Sequence, residues 1–298
     1  MAKDMAVALI PGLSCAERLA VLEKFEKEEK FPFSGKQDLE EFLKRSLRDF
    51  CTMDEIFARA ERYEKVSRIR GIRRVRCGEA GYPPLLGEIH DPPFLLYYLG
   101  RLPDPEKPAA ALVGTRRPSP AGSAQAYSLG RGLAKAGIAV VSGLALGIDA
   151  MAHRGCVDGG GVTVAVLGSG LDELYPSSNK ALAKRILESG GAVVSEYPPG
   201  TKPYRWNFPE RNRIISGFAR GTVIVEAPER SGALHTARFA LDQGRDLWVG
   251  KAGLLSPRGE GTRKLVEEGC GEVSSAADIL SEWNTGERNT DPSEEPWQ

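Results

Sequence analysis

Five short runs of apolar residues punctuate the middle of the chain: Ala109 to Val113, Ile138 to Val141, Val162 to Leu167, Ala192 to Val194 and Thr222 to Val225. None alternates polar with apolar, as a strand wetted on one side does, so each is predicted to be a strand buried on both faces. After each comes a turn of small residues and then a helical stretch. Ser119-Pro120 supplies a cap and a first-turn proline for one helix, and a second is predicted from about Ile148. Repeated strand–turn–helix units make a parallel sheet covered by helices, with a ligand expected where the strands end.

The flanks read differently. Ser14-x-x-Glu17 and Thr52-x-x-Glu55 have capping-box spacing, and Leu19, Leu22 and Phe25 share a helical face, as do Leu39, Phe42, Leu43 and Leu47. Residues 1–70 are therefore expected to form a small all-helical domain. Within it Ile10-Pro11-Gly12-Leu13 has the form of a helix-hairpin-helix turn, which grips DNA phosphates in some folds; such a turn more often only reverses the chain. The prolines between 71 and 108 exclude long helices, and Phe94 to Leu99, ended by Gly100, is predicted to add an edge strand to the main sheet. Short helices are expected over Thr262 to Glu268 and Ala276 to Trp283. The main α/β domain thus covers 71–283, and the polar, acidic residues 284–298, with two prolines, are expected to be disordered.

Composition narrows the function. The 298 residues carry 40 Lys and Arg against 40 Asp and Glu, so the chain is not a broadly basic coat for nucleic acid, and any polyanion site is a local patch. Five scattered cysteines without a Cys-x-x-Cys pair suggest neither a disulfide framework nor a zinc site. No apolar stretch reaches the ~20 residues of a membrane span, and the start lacks a secretory pattern. A cytoplasmic protein with no membrane partner is expected.

A dinucleotide fingerprint needs three glycines in the first turn and an acid after the second strand. Here the first turn is Gly114-Thr115-Arg116 and the second strand ends in Ser142-Gly143, so both requirements fail and no cofactor is assigned. With Gly168-Ser169-Gly170 and Ser231-Gly232, these turns offer backbone amides and helix N-termini to phosphates. Farther on, Asn207 is placed to cap a helix that carries Arg211 and Arg213 near its start, where the macrodipole disfavours cations. A bound phosphate offsets that cost, and so does an internal ion pair with Glu226 or Asp149; both readings stand. Trp206 and Phe208 beside these cations are able to stack bases, although aromatics near a helix start more often belong to the core. Catalysis finds no support. His90, His153 and His235 fall in separate segments, and His153, four residues after Asp149, is expected to pair with it. No Gly-x-Ser-x-Gly elbow occurs, and neither Glu196 nor Glu226 has a second acid beside it. No catalytic residue and no metal ligand is assigned.

Several motifs in fixed order resemble the DNA-processing protein A family. They are Val-Gly-Thr-Arg at 113–116, Ser-Gly-Leu-Ala-Leu-Gly-Ile-Asp at 142–149, Ala-Val-Leu-Gly-Ser-Gly-Leu-Asp at 165–172 with Tyr175-Pro176, Ser-Glu-Tyr-Pro-Pro-Gly-Thr at 195–201, Phe-Pro-Glu-Arg-Asn-Arg-Ile-Ile at 208–215 and Val-Glu-Ala-Pro-Glu-Arg-Ser-Gly-Ala-Leu-His-Thr-Ala at 225–237. With Tyr82 to Leu86, the likeness covers residues 75 to 282. The resemblance implies an extended Rossmann-like, doubly wound, mostly parallel sheet behind a small helical domain. It implies a non-enzymatic, sequence-nonspecific single-stranded-DNA binder that protects incoming strands in natural transformation, loads the RecA recombinase and acts as a homodimer. By the family's pattern, Arg116, Phe208, Arg211, Asn212 and Arg213 line the DNA pocket, with the small-residue turns around them.

The chain departs from that pattern at Leu146, which stands in place of an arginine, and at His235, Gly250-Lys251-Ala252 and Arg263. Many members also carry a winged-helix domain, where this chain has its acidic tail. Two other classes compete: a nucleotide-binding Rossmann-like hydrolase acting on nucleoside monophosphates, whose Gly-Gly-x-Gly-Thr-x-x-Glu motif is missing here, and a dimeric adaptor that binds no nucleic acid.

Overall fold

The computed structural model describes residues 3–48 and 52–288, with side chains as far as 284. Helices α1 (Lys3–Ala8), α2 (Cys15–Glu26), α3 (Lys36–Leu43) and α4 (Met53–Arg70) come first. Both capping boxes form, Ser14 with Glu17 and Thr52 with Glu55. Gly12 turns the chain between α1 and α2 at φ 71°. The Gly12 carbonyl accepts from Arg45 at 2.5 Å and the Ile10 carbonyl from Arg18 at 3.3 Å, so two of the turn's carbonyls are held within the chain. Helix α3 stops short of Leu47 because Lys44 adopts a left-handed conformation. Leu47 is still buried, reached through a loop and held by its N–H on Glu40 Oε1 at 2.6 Å.

Strand β1 (Arg73–Arg76), the short α5 (Pro84–Gly87) and β2 (Leu95–Gly100) lead into the main sheet. There follow β3 (Ala109–Val113), α6 (Pro120–Lys135), β4 (Ala139–Ser142), α7 (Ile148–Asp158), β5 (Thr163–Val166), α8 (Lys180–Glu188) and β6 (Ala192–Ser195). The chain continues through α9 (Asn207–Gly217), β7 (Gly221–Ile224), α10 (Ala233–Asp242), β8 (Asp246–Gly250), α11 (Lys251–Leu255), α12 (Glu260–Glu267), β9 (Gly271–Val273) and α13 (Ala276–Arg288). Among the described residues the sheet runs β1-β2-β6-β5-β4-β3-β7-β8-β9, and only the β1–β2 and β2–β6 pairings are antiparallel. The lead-in therefore adds an edge to the sheet, but its outermost strand is β1, which covers the predicted run, β2.

Every residue of β3 to β7 is buried. Along β3, Ala109, Ala111 and Val113 face a core shared with α8, α9 and α10, while Ala110 and Leu112 face one shared with α6, α7 and α13. This is the doubly wound arrangement that strands without alternation require. The N-terminal helices join the first of these cores at the sheet edge, where Asp4 pairs with Arg74 at 2.6 Å and the Tyr97 hydroxyl lies 3.1 Å from the sulfur of Met5.

At the other end α13 continues to Arg288, into the stretch expected to be disordered from Asn284 onward. Trp283 is the anchor: it is buried against Trp248, and its indole N–H donates to Asp246 at 2.8 Å. The remainder of that stretch, residues 289–298, lies outside the described residues, as does Cys51. No helix among the described residues is long and apolar enough to cross a membrane.

Strand order fixes where a ligand fits. From β3 the chain builds outward through β4 and β5 to β6, then crosses to the other flank of β3 and builds β7, β8 and β9. The order reverses between β3 and β7, and the loops leaving their carboxyl ends diverge there and open a crevice.

Candidate functional site

The crevice is a pocket of about 710 Å³. Its walls come from the turn after β3 (Gly114 to Arg117), from Ala145 and Asp149, from Pro203 to Asn212 around the start of α9, and from Pro228 to Thr236 after β7. Tyr175 and Arg258 complete it. Six arginines, at 116, 117, 205, 211, 230 and 258, stand among the lining residues against one carboxylate, Asp149. A chain with no net charge thus concentrates positive charge at the one place its topology opens.

Each arginine-bearing turn is fastened from behind. The Thr115 N–H donates to the Glu226 carbonyl at 2.7 Å, and the Thr115 carbonyl accepts from the Ile148 N–H at 3.2 Å. Ser119 caps α6 as predicted, accepting the Gly122 N–H at 3.0 Å. Its own N–H and hydroxyl donate to the fully buried Glu226 carboxylate at 3.0 and 2.7 Å. Ser256, in the loop that carries Arg258, donates to the same carboxylate at 2.8 Å. Glu226 therefore serves as the knot between two arginine loops, and it pairs with neither Arg211 nor Arg213. Arg116 itself is exposed, with its guanidinium 5.7 Å from the centre of the Phe208 ring.

Arg211 forms the floor. It is buried, and its guanidinium donates to the carbonyls of Gly143, at 2.8 Å, and Val166. Burial pushes its pKa down to about 10, opposed by Asp149 and reinforced by Arg116. It stays charged at neutral pH. Gly143 has no room for a side chain, because a Cβ there would sit 2.7 Å from the Arg211 guanidinium. Asp149 is the counter-charge: burial pushes its carboxyl up, while Arg211 and the amides of Ala145, Gly143 and Gly114 pull it down. The expected Asp149–His153 pair is not how either side chain is satisfied. His153 Nδ1 lies 2.7 Å from Thr163 Oγ1, and Asp149 takes the Gly143 N–H at 3.1 Å. The backbone amides after β4 offer the carboxylate more donors than one imidazole does. Complete burial, with help from Arg211, drives the His153 pKa down to about 3, so the ring is neutral.

Phe208 leans on Tyr175, their ring centres 5.6 Å apart at 54°, and Gly168 lets it close in: a Cβ at 168 would lie 3.1 Å from the ring. Asn207 does not cap α9. It is the helix's first residue, buried, and donates to the Gly168 carbonyl at 2.9 Å. Asn212 donates to the Gly232 carbonyl at 3.1 Å and joins α9 to the turn before α10.

Of the residues singled out in the sequence, Gly114, Thr115, Arg116, Phe208, Arg211, Asn212, Ser231 and Gly232 meet in the pocket. Gly143 and Gly168 stand behind it, against Arg211 and Phe208. Ser142 is buried with its hydroxyl on the Leu112 carbonyl at 2.6 Å, and the Gly170 N–H donates to the Thr201 carbonyl at 2.8 Å, so both brace loops. Arg213 turns elsewhere. It makes a two-pronged pair with Glu196 at 2.8 and 2.7 Å, with Asp91 at 3.6 Å, and these carboxylates outweigh burial to raise its pKa. For Arg213 the internal ion pair is therefore the one observed, with Glu196 in place of Glu226 or Asp149. Not anticipated in the lining were Tyr175 and the arginines at 117, 205, 230 and 258. Arg205 sits in the turn just ahead of α9, two residues before the helix starts. Arg258 comes from a distant loop that only the fold brings near.

A sequence model of the family described as DNA recombination-mediator protein A matches residues 73–284. The chain is 44% identical over 204 residues to protein Smf of Synechocystis, covering 67% of this chain and 51% of that protein. It is 42% identical over 202 residues to DNA processing protein DprA of Streptococcus pneumoniae, covering 68% and 71%. The chain thus spans about half the length of the Synechocystis relative. The X-ray structure of the pneumococcal protein superposes with a TM-score of 0.78 at 33% identity, over 95% of this chain and 98% of that one. A structure of DNA processing protein A from Helicobacter pylori, described for its single-stranded DNA binding mode, superposes with a TM-score of 0.63 at 28% identity, over 72% of this chain and 96% of that one. On the family match and the pneumococcal fold together, the chain belongs to the DNA recombination-mediator protein A family.

Proposed function

We propose that the chain binds single-stranded DNA, without sequence preference, in the pocket at the β3–β7 switch, and that it acts there as a recombination mediator rather than an enzyme. The observation that carries this is the lining: six arginines and one committed carboxylate around the aromatic pair Tyr175–Phe208. Cations track phosphates and rings stack bases, the two ingredients of sequence-tolerant strand binding. In this reading Arg116 contacts phosphate from the rim, while Arg211 presents a fixed charge from the floor. The Helicobacter pylori relative, a DNA processing protein A with a single-stranded DNA binding mode, supports the same class of ligand.

Hydrolysis of nucleoside monophosphates is less well supported, because Asp149, the acid in the lining, is held by backbone amides and Arg211. The wider role, protecting incoming strands, loading RecA and working as a homodimer, rests on the family resemblance.

The test is a titration with single- and double-stranded oligonucleotides across a salt series. Preferential, salt-sensitive binding of the single strand is the expected result. Release of free base from a nucleoside monophosphate, or no strand binding at low salt, overturns the proposal.

A further inference from the structure

Beside the pocket, on the loop entering α9, Tyr204 and Trp206 stack on each other with ring centres 4.9 Å apart and planes within 5°. Burial does not account for this pair, since Tyr204 is 45% and Trp206 64% exposed. Hydrogen bonds hold the loop beneath them: the Tyr204 N–H donates to the Lys202 carbonyl at 2.8 Å, and the Asn207 N–H to the Tyr204 carbonyl at 3.1 Å. Each ring has one face on its partner, and at 64% exposure the far face of Trp206 is open to water.

The chemistry around the pair selects what covers that face. Arg205, between the two rings in sequence, lines the pocket together with Pro203, so the pair stands at the pocket's rim. Lys202 and Arg205 are exposed. A flat aromatic face continuous with a phosphate-binding crevice and flanked by cations matches a nucleobase, whose own phosphates pass the cations.

We propose that Tyr204 and Trp206 form a second stacking platform, outside the pocket, for a base of the same strand as it leaves past Arg205. This rests on the single-strand reading of the pocket. It adds that the footprint extends beyond the pocket on the α9 side, with Arg205 meeting the phosphate between the two stacking places.

The test compares the full chain with Trp206→Ala, Trp206→Phe and Arg116→Ala on an oligonucleotide long enough to leave the pocket and on an abasic strand of equal length. Trp206→Ala is expected to weaken the normal strand about tenfold, the effect of losing one stacked base, and to leave the slope against salt unchanged. Trp206→Phe keeps most of the affinity, and the abasic strand binds wild type and Trp206→Ala alike. In a Trp297→Phe background, strand binding quenches tryptophan emission while Trp206 is present and not after Trp206→Phe, because Trp248 and Trp283 are buried. Equal affinity of wild type and Trp206→Ala for the normal strand, with Arg116→Ala still defective, overturns the platform and leaves the pocket standing. Failure of the wild type to bind any strand overturns both.

Discussion

Arg116 and Arg213 show how far residue identity decides a role. Both lie in motifs that pointed to phosphate, yet Arg116 is exposed over Phe208 while Arg213 is consumed by Glu196. Replacing Arg116 by Ala is expected to weaken strand binding at least tenfold while changing stability by no more than about 0.5 kcal/mol, as for other exposed positions; a thermal melt beside the titration checks both. Gly143→Ala acts on the neighbouring Arg211, since its Cβ would meet the guanidinium at 2.7 Å. It is expected to cost about 1–3 kcal/mol from overpacking, read as a lower melting temperature, and to weaken binding as Arg211 is displaced.

His153 sets a pH dependence. Its pKa falls from 6.5 unfolded to about 3 folded, so the stability it supports is complete above pH 6.5 and is lost as pH drops toward 3. The loss is up to about 1.4 kcal/mol per pH unit. Denaturant melts of wild type and His153→Gln from pH 7 to pH 4, at about half-unit steps, check this: the wild type loses stability faster on acidification.

At the scale of elements, the sheet was legible and the seams between elements were not. Unalternating apolar runs gave β3 to β7 because both faces of each are covered, and Ser119-Pro120 gave the start of α6 because capping is local. Helix α9 was placed correctly, but Asn207 is drawn inward by the Gly168 carbonyl, a partner 39 residues away that no local rule supplies. Likewise the glycine turns pointed to where the pocket opens, while Arg258 and the Glu226 knot depend on loops that meet only in the fold. That knot is testable. Ser119→Ala removes both the cap of α6 and a hydroxyl on Glu226, and is expected to cost about 1–2 kcal/mol. Hydrogen exchange is expected to rise in the turn carrying Arg116 and in the loop carrying Arg258 together; a change confined to α6 contradicts the coupling.

Over the whole molecule, topology and charge combine. The strand order reverses once, between β3 and β7, and there a chain of zero net charge gathers six arginines. The helical region, the edge strand β1 and its neighbour β2 share one core with the sheet and leave that opening free. The central claim is that phosphates of a single strand occupy the opening. Its most direct test is the slope of log affinity against log salt for wild type and Arg116→Ala. A lost phosphate contact is predicted to make the slope shallower by about 0.7 for a single strand. An Arg116→Ala chain that binds with the wild-type slope and the wild-type affinity contradicts the claim.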